Sequence, residues 1–316
     1  MIDAPDGNWP ALPLEEWEGT RAALHLWMQI VGKIRLVTSP WLSHSWHATF
    51  YVTARGLTTA LIHLPARSFQ ISFDLIDHRV MIHASDGRSG SVPLVPQSVA
   101  AFYRRLMSEL RAMGIVVRIF RRPCEIPDAT PFDQDTAERA YDADAAHRFW
   151  RILVQVDRVF SRFRARYLGK SSPVHLFWGA QDLAVTRFSG REAPLHPGGI
   201  PGLPDWVTRD AYSHEVSSCG FWPGGGPVPY PAFYAYAYPE PPGYSTARIE
   251  PSAAYYSQAF HEFILPYDTV RNSASPDETL TAFLQTTYDA AANLGRWNRP
   301  ALERSGELPL KDTSTQ

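Results

Sequence analysis

Ala100-Ala101-Phe102-Tyr103 returns as Ala253-Ala254-Tyr255-Tyr256, a step from position 100 to position 253, and the same step lays Glu109-Leu110 on Glu262-Phe263. Earlier in the chain a shorter step lays Gln29-Ile30 on Gln155-Val156 and Phe50-Tyr51-Val52 on Leu176-Phe177-Trp178. It also lays Ala54-Arg55-Gly56-Leu57 on Ala180-Gln181-Asp182-Leu183. A chain that repeats its own pattern is most simply two like units sharing one core. The lengthening of the step implies extra loops in the second unit.

Periodicity gives those units their content. From Leu14, apolar residues recur in steps of three and four through Leu24, Trp27, Met28, Val31 and Ile34, predicting a helix that Ser39-Pro40 stops. Strands are predicted over 47–53, 57–64, 69–76, 80–84 and 91–95, with turns at Asp77-His78 and Asp86-Gly87. A helix over 98–113 ends at Gly114, and 115–120 reads as another strand. In the second half, helix 144–167 sets Phe149, Ile152, Val156, Val159 and Phe163 against Arg151, Arg158, Arg162 and Arg166. Strands are predicted over 174–188, 212–221 and 232–238, a Gly/Pro loop over 190–210, and helices over 252–264 and 276–294.

The expected class is therefore α+β, a tandem duplicated helix–antiparallel sheet–helix unit forming one two-lobed protein. The first unit spans 14–122, a Pro-rich and acidic linker 123–141, the second unit 142–296 with added Gly/Pro/Tyr-rich loops, and a polar tail 297–316. The two sheets are expected to pack together or join side by side.

Composition excludes several functions. Of 316 residues, 45% are hydrophobic and 20% charged, with a net charge of −2, so the chain is globular and lacks the basic excess of a nucleic-acid binder. No apolar run reaches the ~18 residues of a membrane span. The opening Met-Ile-Asp-Ala-Pro-Asp has neither the basic nor the apolar part of a secretory signal, so a cytoplasmic location is expected. Cys124 and Cys219 are too few for a disulfide framework or a four-cysteine zinc site.

The chemistry-bearing residues gather mainly in the second unit. Over Pro173–Phe188, alternation sets His175, Phe177 and Gly179 on one strand face, and Gly179 signals a bulge or a close approach by another group. Asp182 and Arg187 follow, as an ion pair or as ligands for a polar group. His214-Glu215 is a second cluster; adjacent strand residues point apart, so His214 is expected to meet His175 from a neighbouring strand. Asp182, Glu215 or His47 would then complete a nitrogen/oxygen metal set, although no His-Glu-x-x-His spacing supports one. Tyr234, Tyr236 and Tyr238 form a row of rings opposite Phe233, Ala235 and Ala237. His44 and His47 stand at a loop-to-strand junction in the first unit. Gly169-Lys170-Ser171 is no P-loop, because position 164 is Arg, and no Gly-x-Gly-x-x-Gly opens a βαβ unit.

Several long strings carry a resemblance. Trp9-Pro10-Ala11-Leu12-Pro13, Leu24-His25-Leu26-Trp27-Met28-Gln29-Ile30-Val31-Gly32-Lys33 and Tyr51-Val52-Thr53-Ala54-Arg55-Gly56-Leu57-Thr58-Thr59 are three of them. Ser172-Pro173-Val174-His175-Leu176-Phe177-Trp178-Gly179, Arg187-Phe188-Ser189-Gly190-Arg191 and Gly220-Phe221-Trp222-Pro223-Gly224 are the others. Over about 9–297 the chain resembles the bacterial DUF5996 family. The resemblance implies a bacterial, soluble protein and brings no activity or cofactor with it.

The residues themselves point to a small-molecule enzyme whose site lies in the second unit facing the first. His175, His214, Glu215 and Asp182 would act as general acid/base or metal ligands. Arg187, Trp178, Tyr234, Tyr236, His44 and His47 would bind the substrate. The cofactor is left open, and a small-molecule ligand rather than a nucleic acid or membrane is the expected partner. The rival readings are a non-catalytic binder with an aromatic pocket and a structural protein that binds a partner through 220–245.

Overall fold

Leu14–Thr38 (α1) and Ala143–Ala165 (α3) open the two halves, each turning an apolar stripe inward. Trp17 of α1 meets Phe149 of α3 with ring centres 5.0 Å apart, so the two long helices pack on each other. The computed structural model describes residues 9–126, 128–200, 203–304 and 306.

After α1 come β1 (Tyr51–Thr53), β2 (Gly56–Thr58), β3 (Ile62–Leu64), β4 (Arg67–Asp74), β5 (Arg79–Ala84) and β6 (Ser89–Pro93). They pair antiparallel in the order β1-β2-β4-β5-β6, with β3 also on β4. Helix α2 (Val99–Ala112) follows; the Ser98 side chain caps it by accepting from the Ala101 N–H, and Gly114 ends it at φ 73.

The second half continues from α3 into β7 (His175–Phe177), β8 (Asp182–Glu192), α4 (Asp205–Ala211), β9 (His214–Trp222) and β10 (Ala232–Tyr238). Then come β11 (Tyr255–Ser257), β12 (Glu262–Pro266), α5 (Tyr267–Arg271), α6 (Pro276–Leu294) and α7 (Arg299–Leu302). This sheet is also antiparallel, in the order β11-β12-β10-β9-β8-β7. The class is α+β, as the sequence predicts.

The sheets meet edge to edge. Phe50 donates to the Leu176 carbonyl at 2.9 Å and Leu176 donates to the Phe50 carbonyl at 2.8 Å. One apolar core runs through both halves, including Trp27, Phe50, Phe73 and Phe102 from the first and Phe149, Leu176, Phe221 and Phe283 from the second.

Phe50 and Leu176 are residues that the shorter sequence step equates, and Gln29 and Gln155 likewise both lie in opening helices. The longer step behaves differently: Ala100–Tyr103 belongs to α2, whereas 253–256 runs into β11. The helix predicted over 252–264 is in fact the β11–β12 hairpin. Its Tyr255, Tyr256, Phe263 and Ile264 suit a ladder, His261 turns at φ 57, and β12 pairs along β10.

Two smaller expectations also change. Residues 115–120 find no ladder partner, and Val116 and Phe120 stay exposed. The 57–64 strand breaks in two at Ala60, where φ is 55. Within the 123–141 segment Phe132 is fully buried, and the Asp135 carbonyl accepts from the Ala100 N–H. The tail contributes α7 and a buried Trp297, while 305 and 307–316 lie outside the described residues.

Candidate functional site

The two faces of the second sheet differ in chemistry. One face carries Leu176, Leu183, Val185, Phe221, Phe233, Phe263 and Leu265 and packs into the core. Alternation places His175, Phe177, Asp182, Ala184, Thr186, Ser218, Gly220, Tyr234, Tyr236 and Glu262 on the other. Register lines up His175, Ala184, Gly220 and Tyr234 in one row across four strands. Ala184 and Gly220 make a low floor between an imidazole and a phenol.

Tyr234 leans over that floor. A Cβ at position 220 would run into its ring, so glycine is required beneath it. The phenol thereby donates its hydroxyl to Asp182 Oδ2, one row along on β8. The Tyr236 ring stacks beside Tyr234 at 6.2 Å, and its hydroxyl lies 2.8 Å from that of Tyr212, which follows α4. His44 closes this wall, 6.0 Å from the Phe177 ring and 6.2 Å from the Tyr212 ring, with its Nδ1 3.0 Å from the Ala211 carbonyl.

Two carboxyl groups lie on this face, and a third, Glu125, lies against Gly179 at the β7–β8 turn. Burial pushes Asp182 up to about 6, against the pull of the Tyr234 hydroxyl. Burial and the nearby Asp182 charge push Glu262 up to about 8. Glu125 is exposed to solvent, and desolvation of its carboxyl with the Asp182 charge raises it, opposed by Lys33. The Glu125 carboxyl lies against Gly179, where a Cβ would collide with it, so the close approach that this glycine predicts is made by Glu125. His25 adds its Nε2 at 2.7 Å from the Gly179 carbonyl, and burial lowers it to about 4. Such displaced carboxyls in a cleft are a mark of acid–base sites.

The predicted residues divide. Asp182, Tyr234 and Tyr236 come together in the groove; His44 stands at its wall, and His175 ends the row that Tyr234 begins. His214 and Glu215 do not join them. They sit at the start of β9, six residues before Gly220 and so about 20 Å along the strand. His214 Nδ1 is 3.1 Å from Ser213 Oγ, and Glu215 pairs with Arg191 at 2.6 Å. Glu215 lines a separate pocket of about 350 Å³ with Tyr238, Pro239, Leu294 and Trp297.

Arg187 is on the core face, opposite Asp182, so the pair does not form. Its guanidinium lies 3.4 Å from the Phe163 ring centre and 4.3 Å from that of Tyr288, and donates to the Phe163 carbonyl. Trp178 is buried, packing on Gly32 and donating to the Ala48 carbonyl at 2.6 Å. His47 faces Trp41, and its Nδ1 accepts from the Leu42 N–H at 3.2 Å. Among the described residues, no group of three or more His, Cys, Asp or Glu side chains is placed to hold a metal ion, and no helix is long and apolar enough to cross a membrane.

Sequence reasoning missed Glu125, Glu262 and Tyr212. The Gly179 signal pointed toward Glu125 without naming it. Glu262 was hidden inside a helix assignment, whereas strand alternation would have set it beside the tyrosine row.

Fold and site together define an α+β protein whose second antiparallel sheet presents a carboxylate–tyrosine groove. The chain belongs to a family of unknown function, DUF5996, whose model matches residues 9–304. No curated protein matches the chain, and no solved structure does.

Proposed function

We propose that this chain is a small-molecule enzyme that moves protons with the Asp182–Tyr234 pair. The observation that carries this reading is a buried carboxyl, titrating at about 6, hydrogen-bonded to a phenol on an aromatic-walled sheet face. Tyr234 occupies Oδ2, which leaves Oδ1 to take a proton from the substrate; near neutral pH the group is then poised as a base and, once protonated, as an acid. Burial alone holds Asp182 up, and its charge in turn raises Glu262 and Glu125, which stay protonated while it ionises. Tyr236, Tyr212 and Phe177 supply flat apolar walls that would hold a small polar molecule against the pair.

The reading keeps general acid/base chemistry from the sequence expectation and moves it from the histidines to Asp182 and Tyr234. It extends to a bacterial, cytoplasmic setting, supported by two cysteines that are both free. It also includes descent by tandem duplication, supported by the equivalence of Phe50 and Leu176.

The test is untargeted. The protein is incubated with mixed neutral and charged metabolites, and consumption is followed by mass spectrometry. Asp182→Asn and Tyr234→Phe should abolish any conversion, while His214→Ala leaves it intact. A ligand held without conversion by wild type and Asp182→Asn alike would favour the binding protein instead.

A further inference from the structure

The seam between the sheets gathers buried donors that have no acceptor. Because Phe50 pairs with Leu176 in antiparallel register, Tyr51 lies directly across from His175, on the groove side of the sheet. Arg35, from the last turn of α1, places its Cζ 5.3 Å from the Tyr51 ring centre. The Trp46 ring is 6.4 Å from the His175 ring, and Lys170 Nζ is 5.7 Å from the Trp46 ring.

His175 is 0% exposed, and apart from a weak approach to the Pro173 carbonyl neither of its ring nitrogens has a partner. Arg35 is 8% exposed, with Nε and Nη1 both unpartnered, and Trp46 Nε1 is likewise buried without an acceptor. The neighbouring carboxylate, Asp210, is engaged elsewhere: its Oδ2 accepts from the His44 N–H at 3.1 Å and the Trp41 indole at 3.3 Å. Burial keeps His175 neutral, so one of its nitrogens carries a proton to donate.

The Arg35 guanidinium also bonds the Tyr51 side chain, but its Nε–H and Nη1–H stay buried without an acceptor, and donors of this kind are normally satisfied. Three elements, the end of α1, the turn at 43–46 and β7, bring such donors to one seam, and Lys170 adds positive charge beside them. We propose that the seam is a binding site for a small oxyanion group, a carboxylate or phosphate, that accepts from the Arg35 fork, Trp46 Nε1 and His175.

Nε and Nη1 of one guanidinium form the side-on fork that matches two oxygens of such a group. His175 lies one strand over and two residues along from Asp182, about 8 Å away on the same face. The seam therefore borders the acid–base groove, and an anionic head bound there would leave the rest of a ligand over Ala184 and Gly220. Anion binding does not depend on the acid–base reading and can be measured without turnover.

The full chain is titrated with inorganic phosphate and, separately, with acetate, at constant ionic strength balanced with sodium chloride. Melting temperature and the Nε–H nitrogen NMR signal of Arg35 are followed. A saturable rise in melting temperature and a shifted Arg35 signal are expected with at least one of the two anions, and which one responds identifies the group as phosphate or carboxylate. Arg35→Met and His175→Leu should each weaken the response at least about tenfold, and Arg35→Lys, which keeps the charge but not the fork, should retain part of it. Tyr234→Phe should bind the anion as wild type does, which separates this site from the acid–base pair. Absence of a saturable response to both anions, or an undiminished response in Arg35→Met and His175→Leu, overturns the proposal. Should Arg35→Met not fold, the wild-type Arg35 signal decides alone.

Discussion

Tyr234 reaches across β9 to give its hydroxyl to Asp182, and it does so over Gly220, the one residue type that leaves room beneath its ring. This contact organises the groove. It fixes a ring that would otherwise project toward solvent, and it occupies one oxygen of a buried carboxyl.

Gly220→Ala tests the floor. The new methyl group enters the volume of the Tyr234 ring, so the ring must tilt and release Asp182. A loss of ~1–3 kcal/mol is expected from overpacking, read by urea denaturation. Retention of wild-type stability together with an unchanged Asp182 titration would show that the ring is not seated as described.

Tyr234→Phe tests the bond itself. The hydroxyl favours the ionised carboxyl, so its removal should raise the Asp182 pKa further above about 6. The stability cost should approach ~1–2 kcal/mol at pH 8, where Asp182 must ionise, and shrink at pH 5, where it stays protonated. Equal costs at both pH values would count against the assignment.

The groove should also shape stability against pH. Asp182 and Glu262 titrate at about 6 and about 8, above their ordinary 3.8 and 4.5. Between the ordinary and raised values the folded chain keeps protons that the unfolded chain has released, so this contribution lowers stability as pH rises. His25 and His44 at about 4 and His175 at about 3 act in the opposite sense. The unfolded chain takes up their protons below 6.5, so their contribution lowers stability as pH falls. Above 6.5 the histidine effect fades, and the carboxyl effect, to which Glu125 at about 7 adds, prevails. Melting temperature should decline from pH 6.5 to 8.5, and Glu262→Gln should flatten that decline.

Arg187 is buried in the core against the rings of Phe163, Tyr167 and Tyr288. Arg187→Ala opens a cavity among Phe163, Tyr167 and Tyr288 and should cost ~2–4 kcal/mol. Arg187→Met keeps an apolar stem against the same rings and removes an incompletely paired charge, so its cost should be about 1 kcal/mol or less. Thermal unfolding of the two variants checks the order, and a larger loss for Met than for Ala would contradict it.

Much of the fold was legible in the sequence because its signals are local. The stripe in α1, the Gly114 stop and the alternation of β10 need no partner to be read. Elements that depend on a distant partner were misread. Residues 252–264 look helical until β10 offers an edge, and 115–120 looks like a strand that no neighbour accepts. The site shows the same division. Tyr234 and Asp182 could be nominated from residue type and strand face, but their meeting depends on a glycine on a third strand. His214 and Arg187 stand apart from Asp182, His214 six residues before Gly220 on β9 and Arg187 on the opposite face of the sheet. Arg35 lay within a helical pattern, and only the seam reveals that its fork is unpartnered.

The two hydrogen bonds between Phe50 and Leu176 have a consequence for the chain as a whole. β1 and β7 are short outer strands that would each offer a bare backbone ladder if the other were missing, an invitation to self-association. Each half thus acts as the other's seal. Severed between 123 and 141 and produced separately, the fragments should clump; produced together, they should find one another again.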